Sequence, residues 1–284
     1  MHHDQEVAVL GTCNMDLIIR VSRFAGADEE VNVDQYHQSV GGSAANCAVT
    51  LSQLGIRTGV MSRVGKDLWG GLICQELTRK GVLTERIITS DTPTGMSFIA
   101  VDDHGERSIY THMGANIHFK LLKEDITYIK NSKILHMTGM YVEVVEEASQ
   151  HAKLLSFNPG MLLSSFGLER LKGTIKKVHL LFLNQKEAKV LTGLEPEKAA
   201  QLLVEMNIPV VVITRGKDGA DVYTKDGFIT SPAKKTKALD STGAGDTFAA
   251  GFLARYLQDG DLEECLNQAH LTASRQVGKW GGFW

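Results

Sequence analysis

Short apolar runs alternate with longer amphipathic segments from residue 133 onward, and this alternation constrains the fold more than any other feature of the sequence. Runs such as 178–183 and 208–213 have the length of buried strands, and they are far shorter than the ~20 apolar residues that span a bilayer. Segments with helical spacing of apolar residues lie between them. Repeated strand–helix–strand units build a mostly parallel sheet that is covered by helices on both faces. The alternation therefore predicts an α/β protein that does not cross a membrane.

Two segments in the first half of the chain do not fit this alternation. They are a strand predicted at 15–21 and a hairpin predicted at 94–111, and we expect them to form a strand-built lid. The whole chain, residues 1–284, is expected to be one domain with lid segments of about 12–40 and 91–114 inserted in it. The remaining predicted elements are strands at 7–10, 58–64, 133–137, 154–157, 178–183 and 209–213, helices at 44–54, 67–80, 142–152, 166–175, 184–206, 244–258 and 262–276, and a hairpin at 220–230.

Charge and composition exclude several classes of function. The chain carries 30 lysine and arginine residues and 33 aspartate and glutamate residues, mixed without a basic block, so we expect no nucleic-acid partner. The polar start of the chain shows no secretory signal. The four cysteines form no C-x-x-C pair, which is typical of reduced thiols in a cytoplasmic protein.

Glycine-rich segments are candidates for binding phosphate, and two common motifs do not fit. After the first strand, Gly11 to Asn14 lacks the G-x-G-x-x-G pattern of a dinucleotide site. The segment Gly65 to Asp67 lacks the Ser/Thr and the upstream glycine spacing of a P-loop. These differences disfavour a dehydrogenase and a P-loop enzyme, and the scattered histidines, without an H-E-x-x-H pair, disfavour a zinc enzyme.

Two other segments place small residues at the start of a predicted helix. Asp240 to Phe248 reads DSTGAGDTF and leaves backbone N–H groups uncovered at a helix N-terminus, where the helix dipole favours an anion. Asp246 either caps this helix or takes a proton from a hydroxyl that attacks a phosphate. Gly41 to Asn46 reads GGSAAN, and its diglycine allows a ligand to approach the backbone closely. Asn46 is either a polar residue at an ordinary helix start or a contact for a polyol.

Together these segments resemble the two signatures of the ribokinase-like family of carbohydrate and purine (nucleoside) kinases. Gly41 to Asn46 is similar to the first signature, and Asp240 to Phe248 matches the second, D-[ST]-x-G-A-G-D-x-[FY], without a gap. Shorter similarities follow in the family's order: N-x-D at Asn14 to Asp16, Gly114 to Asn116 after the hairpin, N-x-x-E at Asn184 to Glu187 and T-x-G at Thr214 to Gly216. The resemblance covers essentially the whole chain. It implies a ribokinase-like three-layer α/β/α sandwich with a mostly parallel sheet and a small β-strand lid.

The resemblance also implies a phosphotransferase that uses ATP to phosphorylate a primary hydroxymethyl group of a small sugar or nucleoside. Asp246 would be the general base. The anion hole around the transferring phosphoryl group would consist of Gly243, Ala244 and Gly245. The residues implied to bind the sugar or nucleoside are Asn14, Asp16, Gly41, Gly42 and Asn46.

On the nucleotide side the resemblance implies ATP and Mg²⁺. The implied nucleotide-binding residues are Asn184, Thr214, Arg215, Gly216, Gly243, Gly245 and His270. Glu187 would orient Mg²⁺ through water, and Asp240 and Thr242 would share a monovalent-cation site. Lid strands often pair across a dimer in such proteins, so a homodimer through the lid is one expectation, and a monomer is the alternative for a lid this small. A rival hypothesis is a non-catalytic sugar or nucleotide sensor on the same fold, which would have no need for a base beside an anion hole.

Overall fold

The computed structural model describes residues 5–234, 236 and 242–278. The strands within these residues are β1 (Val7–Leu10), β2 (Asn14–Val21), β3 (Val33–Gly41), β4 (Thr58–Gly65), β5 (Leu83–Ser90), β6 (Met96–Val101), β7 (Arg107–His112), β8 (Ile134–Thr138), β9 (Leu154–Asn158), β10 (Leu180–Asn184), β11 (Val210–Thr214), β12 (Ala220–Thr224) and β13 (Gly227–Ser231). The helices are α1 (Ser43–Gln53), α2 (Leu68–Arg79), α3 (Lys123–Asn131), α4 (Val142–Ser149), α5 (Gly160–Ser164), α6 (Gly167–Ile175), α7 (Gln185–Thr192), α8 (Pro196–Glu205), α9 (Ala244–Tyr256) and α10 (Leu262–Gln276). No helix among these residues is long and apolar enough to span a bilayer.

The larger sheet has the strand order β13-β12-β11-β10-β9-β8-β1-β4-β5. Its strands from β11 to β5 pair in parallel, and β12 and β13 add an antiparallel hairpin at one edge. One apolar cluster packs α1, α2, α9 and α10 on one face of the sheet, and a second cluster packs α3 to α8 on the other face. The chain runs from β1 outward to β4 on one side and later to β8 on the other side. This reversal opens a crevice at the carboxyl end of β1, where ligands bind in open α/β sheets.

The smaller sheet has the strand order β3-β2-β6-β7 and stands after the carboxyl end of β1. It combines the strand and the hairpin that the sequence analysis assigned to a lid. Within it, β2 pairs antiparallel with β3 and parallel with β6, and β7 closes the hairpin with β6. We call these four strands the lid sheet. The division of the chain into one domain with two inserted lid segments stays a prediction.

Several element boundaries differ from the sequence-based expectation. Neither β3 nor β5 was predicted: β3 is exposed along most of its length, and β5 forms the edge of the large sheet, so neither shows a clear apolar alternation. The helical stretch predicted at 184–206 is two helices, because Gly193 ends α7 with φ 74° and Pro196 begins α8. The short helix α5 precedes α6, where a single helix near 166–175 was expected.

Candidate functional site

The first turns of α1 and α9 meet at the crevice beside β1. Asn46, in the first turn of α1, donates a hydrogen bond from Nδ2 to Oδ2 of Asp246 at 2.9 Å, across 200 positions of the sequence. Gly243 is the N-cap of α9 with φ 73° and provides no side-chain cap, so the helix start is not closed by a side chain of its own. Asp246 lies in the first turn of α9 and not at its N-cap, and its negative charge is also favoured there by the helix dipole, so both roles considered for it stay open. The two glycine-rich segments lie at one place in the fold.

The carboxyl group of Asp246 has an unusual acidity. Removal from water, the largest effect, together with the nearby negative charges of Glu187 and Asp16, raises its pKa from 3.8 to about 7. Hydrogen bonds from Asn46 and Ser43 act in the opposite direction and favour the charged form. A carboxylate with a pKa near neutrality suits proton abstraction at physiological pH, because a base is most effective when its pKa lies near the working pH.

Asn46 has a further unsatisfied group. Its side chain is 3% exposed, and its Oδ1 atom has no hydrogen-bond partner among the described residues. A buried amide oxygen without a partner costs free energy, so such an atom in a crevice is a candidate to accept a hydrogen bond from a ligand hydroxyl. Asn46 can thus hold Asp246 with its amide nitrogen and a ligand with its amide oxygen.

The diglycine before α1 has two separate structural reasons. A Cβ atom on Gly41 would lie 1.9 Å from Oδ2 of Asp16, so only glycine leaves room for this buried carboxylate. Gly42 is the N-cap of α1 with φ 92°, a conformation that favours glycine, and a Cβ there would lie 2.4 Å from the carbonyl oxygen of Thr12. The close approach that the sequence suggested is thus made by Asp16 and by the chain itself.

Asn14 lies at the start of β2 and is held by a residue to which the sequence analysis gave no role. The Nδ2 atom of Asn116 donates to Oδ1 of Asn14 at 3.3 Å. Asn116 is fully buried and also accepts hydrogen bonds at Oδ1 from the hydroxyl of Ser62 and the backbone N–H of Arg63. Asn116 belongs to the segment Gly114 to Asn116 directly after the lid hairpin. The sequence does not indicate that its side chain contacts Asn14.

Asn184 and Glu187 form a reciprocal cap at the start of α7. The Oδ1 atom of Asn184 accepts from the Glu187 N–H at 2.8 Å, and Oε2 of Glu187 accepts from the Asn184 N–H at 2.8 Å. Burial raises the pKa of Glu187, while the hydrogen bond from Asn184 lowers it. The cap engages one oxygen of this carboxylate. The cap is a sufficient structural reason for both residues, so their roles toward phosphate and Mg²⁺ stay predictions.

A cavity of about 440 Å³ opens on the other side of the α9 N-terminus. Thr214 and Gly216 form part of its wall beside β11, and Ala244 and Gly245 form the part that belongs to α9. A Cβ atom on Gly245 would meet no described atom within 4 Å, so the backbone there is open to a ligand. Arg215 is not part of the described wall; its Nε atom lies 3.0 Å from Oδ2 of Asp221.

His270 of α10 lines the same cavity. It is 6% exposed, and its ring meets the ring of Phe248 edge to face at a centroid distance of 5.3 Å. Burial, with smaller contributions from nearby cationic residues, lowers its pKa. Its Nε2 atom has no hydrogen-bond partner among the described residues. A neutral imidazole with a free ring nitrogen at the cavity wall is compatible both with packing against Phe248 and with contact to a base.

The lid sheet reaches the segment before α9 through a side chain to which the sequence alone assigned no role. Arg107, the first residue of β7, donates from Nη1 to Oγ1 of Thr242 at 3.3 Å. Thr242 directly precedes Gly243, so the guanidinium group lies beside the uncovered start of α9. No motif marks Arg107, and the contact joins residues 135 positions apart.

The expected cation sites have limited support. No group of three or more His, Cys, Asp or Glu side chains suited to a metal ion occurs within residues 5–234, 236 and 242–278. Glu187 remains a single acidic candidate for Mg²⁺. Asp240, which was expected to share a monovalent-cation site with Thr242, lies outside the described residues.

Comparison with known proteins gives consistent similarities over the whole chain. The profile of the pfkB family carbohydrate kinase matches residues 4–282. The ATP-dependent ribose-1-phosphate kinase of Halopiger xanaduensis is 32% identical over 276 residues, which cover 95% of this chain and 91% of that protein. The nucleoside kinase of Methanothermobacter thermautotrophicus is 31% identical over 280 residues, covering 96% and 90%.

Solved structures show the same architecture. The nucleoside kinase of Methanocaldococcus jannaschii, an archaeal member of the ribokinase family, is similar with a TM-score of 0.84 at 27% identity, over 98% of this chain and 93% of that chain. The ribokinase of Thermotoga maritima is similar with a TM-score of 0.87 at 26% identity, over 98% and 94%. The α/β fold with a mostly parallel sheet and a small additional sheet is thereby confirmed.

Proposed function

The chain belongs to the pfkB family of carbohydrate kinases and is a carbohydrate or nucleoside kinase, and on this premise we propose that it transfers the γ-phosphoryl group of ATP to a primary hydroxymethyl group of a small sugar or nucleoside. The observation that carries the proposal is the position of Asp246. Its carboxyl group, with a pKa of about 7, faces Asn46 on one side of the uncovered α9 N-terminus, and the nucleotide-sized cavity opens on the other side.

In the proposed reaction, Asp246 accepts the proton of the hydroxymethyl group as its oxygen attacks the γ-phosphorus. The new P–O bond forms while the bond from the γ-phosphorus to the β,γ-bridging oxygen breaks, and ADP leaves. The backbone N–H groups of Gly243, Ala244 and Gly245 face the developing charge, because the first turn of a helix has no internal partners for them. Positioning and charge stabilisation are the main demands of phosphoryl transfer.

On the acceptor side, the buried carboxylate of Asp16 and the unpartnered Oδ1 of Asn46 are suited to hold sugar hydroxyls. The diglycine leaves room for the Asp16 carboxylate and begins the helix that carries Asn46, and we propose Asn14 as a further contact for the acceptor. Ribose 1-phosphate and nucleosides, the compounds in the names of two relatives, share a sugar unit with a free hydroxymethyl group. We therefore propose a ribosyl acceptor. The assay below compares acceptors that carry different groups at C1.

On the nucleotide side, the cavity walls fit the proposed donor. Glycines at 216 and 245 allow the backbone to approach phosphates, and the rings of His270 and Phe248 line the same cavity. Mg²⁺ would supply charge neutralisation on the phosphates, and it is commonly held by one or two carboxylates together with substrate phosphates and water. Glu187 has a carboxylate oxygen outside its cap and is suited to this role. A monovalent cation near Thr242 stays a prediction.

We also propose a homodimer through the lid sheet. The face of the lid sheet opposite Asp16 exposes Tyr36, Phe98 and Tyr110 by 73%, 43% and 69%. Three large rings exposed on one sheet face are unusual for a surface that meets only water. A Tyr110→Glu variant should sediment as a monomer where the wild type sediments as a dimer, and Phe228→Glu, on an exposed aromatic of the other hairpin, should not change the mass. A wild type that sediments as a monomer at micromolar concentration would exclude this proposal.

The four cysteines are free thiols, three of them buried, which is consistent with a reducing compartment. We propose a cytoplasmic enzyme on this ground.

The catalytic proposal is tested with Asp246→Asn and the matched surface variant Asp226→Asn in the β12–β13 turn. ADP release is measured over ribose, ribose 1-phosphate, fructose, 2-keto-3-deoxygluconate, adenosine, inosine and cytidine. We expect Asp246→Asn to lose roughly 10²–10⁴-fold in kcat while ATP binding persists, since this is the usual contribution of a general base. Asp226→Asn should match the wild type. Full turnover of Asp246→Asn, or a wild type that binds a sugar and releases no ADP, would favour the sensor instead.

A further inference from the structure

Asn116 lies where the lid hairpin returns to the large sheet, shortly after β7, and its side chain is fully buried. Its Oδ1 atom accepts from the hydroxyl of Ser62 at 3.2 Å and from the backbone N–H of Arg63 at 3.4 Å. Its Nδ2 atom donates to the carbonyl oxygen of Met113 at 3.1 Å and to Oδ1 of Asn14 at 3.3 Å. Both ends of the amide are thus engaged, and they join β4, the base of the lid and the start of β2.

Two of these neighbours fix which end of the Asn116 amide faces Asn14. The backbone N–H of Arg63 can only donate, so the Asn116 atom beside it must be the oxygen. The carbonyl group of Met113 can only accept, so the Asn116 atom beside it must be the nitrogen. This nitrogen is also the atom that faces Asn14, and Asn14 can accept from it only with its own Oδ1.

The orientation of Asn116 thereby sets the orientation of Asn14. With Oδ1 turned toward Asn116, the Nδ2 atom of Asn14 points away from it and makes no hydrogen bond with a residue in the described part of the chain. Asn14 is two positions before Asp16 in β2, and alternate residues of a strand share a face. This face borders the crevice, because the charge of Asp16 acts there, after the larger effect of burial, to raise the pKa of Asp246. The Nδ2 atom of Asn14 is therefore available to an oxygen atom of a bound acceptor.

The surroundings of the pair support this arrangement. The Ser62 hydroxyl that donates to Asn116 also accepts from the backbone N–H of Cys13 at 3.1 Å, so the chain directly before Asn14 is held by the same group. A Cβ atom on Gly95 would lie 2.4 Å from Oδ1 of Asn14 and 3.1 Å from Nδ2 of Asn116. Glycine at this position thus leaves room for the hydrogen bond between the two amides.

We infer that Asn116 is a positioning residue for acceptor binding, which holds Asn14 so that the Nδ2 atom of Asn14 donates to an oxygen atom of the acceptor; this inference rests on the proposed kinase function. Because Asn116 also bonds to Met113 directly after β7, it fixes this contact relative to the base of the lid. The acceptor atom at this place is one that accepts a hydrogen bond, such as a hydroxyl or ring oxygen.

The test is a double-mutant cycle of Asn116→Ala and Asn14→Ala, measured with the best acceptor of the wild type among ribose, ribose 1-phosphate and inosine. We expect each single variant to raise the acceptor KM by roughly tenfold, since loss of one hydrogen bond weakens binding by about this factor. The kcat and the KM for ATP should stay within about threefold, because the lost contact serves acceptor binding. In the Asn14→Ala background, Asn116→Ala should change the acceptor KM by less than about twofold, because the contact that it positions is already absent.

Gln5→Ala is the matched control, because Gln5 is also a buried amide and lies before β1, at the opposite end of the sheet from the crevice. Its Nε2 atom donates to the carbonyl oxygen of Tyr128 at 2.7 Å and to Oγ of Ser132 at 3.0 Å. Gln5→Ala and Asn116→Ala should both lower Tm, but Gln5→Ala should leave the acceptor KM unchanged. If Asn116→Ala does not fold, Asn116→Ser takes its place, because it keeps a hydroxyl for the buried donors and is too short to reach both sides.

A fall in Tm without a rise in the acceptor KM would assign Asn116 to folding alone and overturn the inference. A rise of equal size in the Asn14→Ala background would also overturn it, since the effect would not pass through Asn14. An Asn14→Ala variant with the wild-type acceptor KM would have the same meaning. A wild type that releases no ADP with any of the three acceptors would instead refute the proposed function.

Discussion

Replacing Asn46 by leucine removes the amide that donates to Asp246 and keeps the branching of the side chain at Cγ. In the wild type, the hydrogen bond from Asn46 to Asp246 spans 2.9 Å and favours the charged carboxylate. The variant removes two polar atoms of Asn46: Nδ2, which donates to Asp246, and the buried Oδ1, which has no partner among the described residues. The pKa of Asp246 should therefore rise above its wild-type value of about 7.

The size of this shift follows from the strength of the lost hydrogen bond. A hydrogen bond to a charged group contributes about 1.5–3 kcal/mol, and one pKa unit corresponds to about 1.4 kcal/mol. The pKa of Asp246 should thus move upward by about one to two units in Asn46→Leu. At pH 7 the ionised fraction of this base would fall from about one half to roughly one tenth or less.

The measurement is the dependence of kcat on pH, taken at saturating ATP and acceptor between pH 5.5 and 9.5. Because proton abstraction requires the carboxylate, kcat of the wild type should rise through a midpoint of about 7 and level off above it. For Asn46→Leu the midpoint should lie about one to two units higher, and the two curves should approach each other at high pH. Asn46→Asp is the companion variant, since a second carboxylate at this position should raise the midpoint further.

A midpoint that does not move would refute this reasoning. A uniform loss of kcat at every pH would assign Asn46 to orientation of the acceptor alone. An acceptor KM that rises while the midpoint stays near 7 would carry the same meaning, and the hydrogen bond to Asp246 would then have no effect on its acidity.

Three further predictions concern stability and the diglycine. The pKa of Asp246 is raised in the folded state, so its protonated form contributes stability that is present below about pH 4 and lost as the pH rises through about 7. Asp246→Asn should therefore increase Tm more at pH 8 than at pH 5, as measured by differential scanning calorimetry. Gly41→Ala places a methyl group on the Asp16 carboxylate and should raise the acceptor KM while nucleotide affinity, measured by calorimetry, is unchanged; Gly71→Ala, in open space on α2, should behave as the wild type. Asp125 is fully buried between two arginines, so Asp125→Ala should cost about 3–5 kcal/mol in urea unfolding; a cost below about 1 kcal/mol would contradict the buried-pair argument.

Much of the fold could be predicted because its signals are local. Buried strands of the parallel sheet carry continuous apolar runs, and the helices between them carry apolar residues at helical spacing. Two strands lacked such a signal. Most of β3 is exposed, and β5 lies at the sheet edge, so the identity of their side chains is weakly constrained by burial.

In the candidate site, the sequence marks the positions where backbone conformation or close packing demands particular residues. Gly243 needs a positive φ at the start of α9, Gly41 must leave room for Asp16, and these requirements appear directly as glycines in the sequence. Arg107 and Asn116 were missed because neither conformation nor composition marks them. Their contacts with Thr242 and Asn14 depend on how distant segments are brought together.

The amino-acid sequence by itself determined the α/β class, the two uncovered helix starts and the membership of the chain in its family, because each depends on local residue chemistry or on similarity along the chain. Only the tertiary structure decided that the two helix starts face each other, with Asn46 bonded to Asp246 across 200 positions. It also decided the acidity of Asp246, since a pKa depends on burial and on neighbouring charges in space. The chemistry of the site thus belongs to the packing of α1 against α9, which no local pattern specifies.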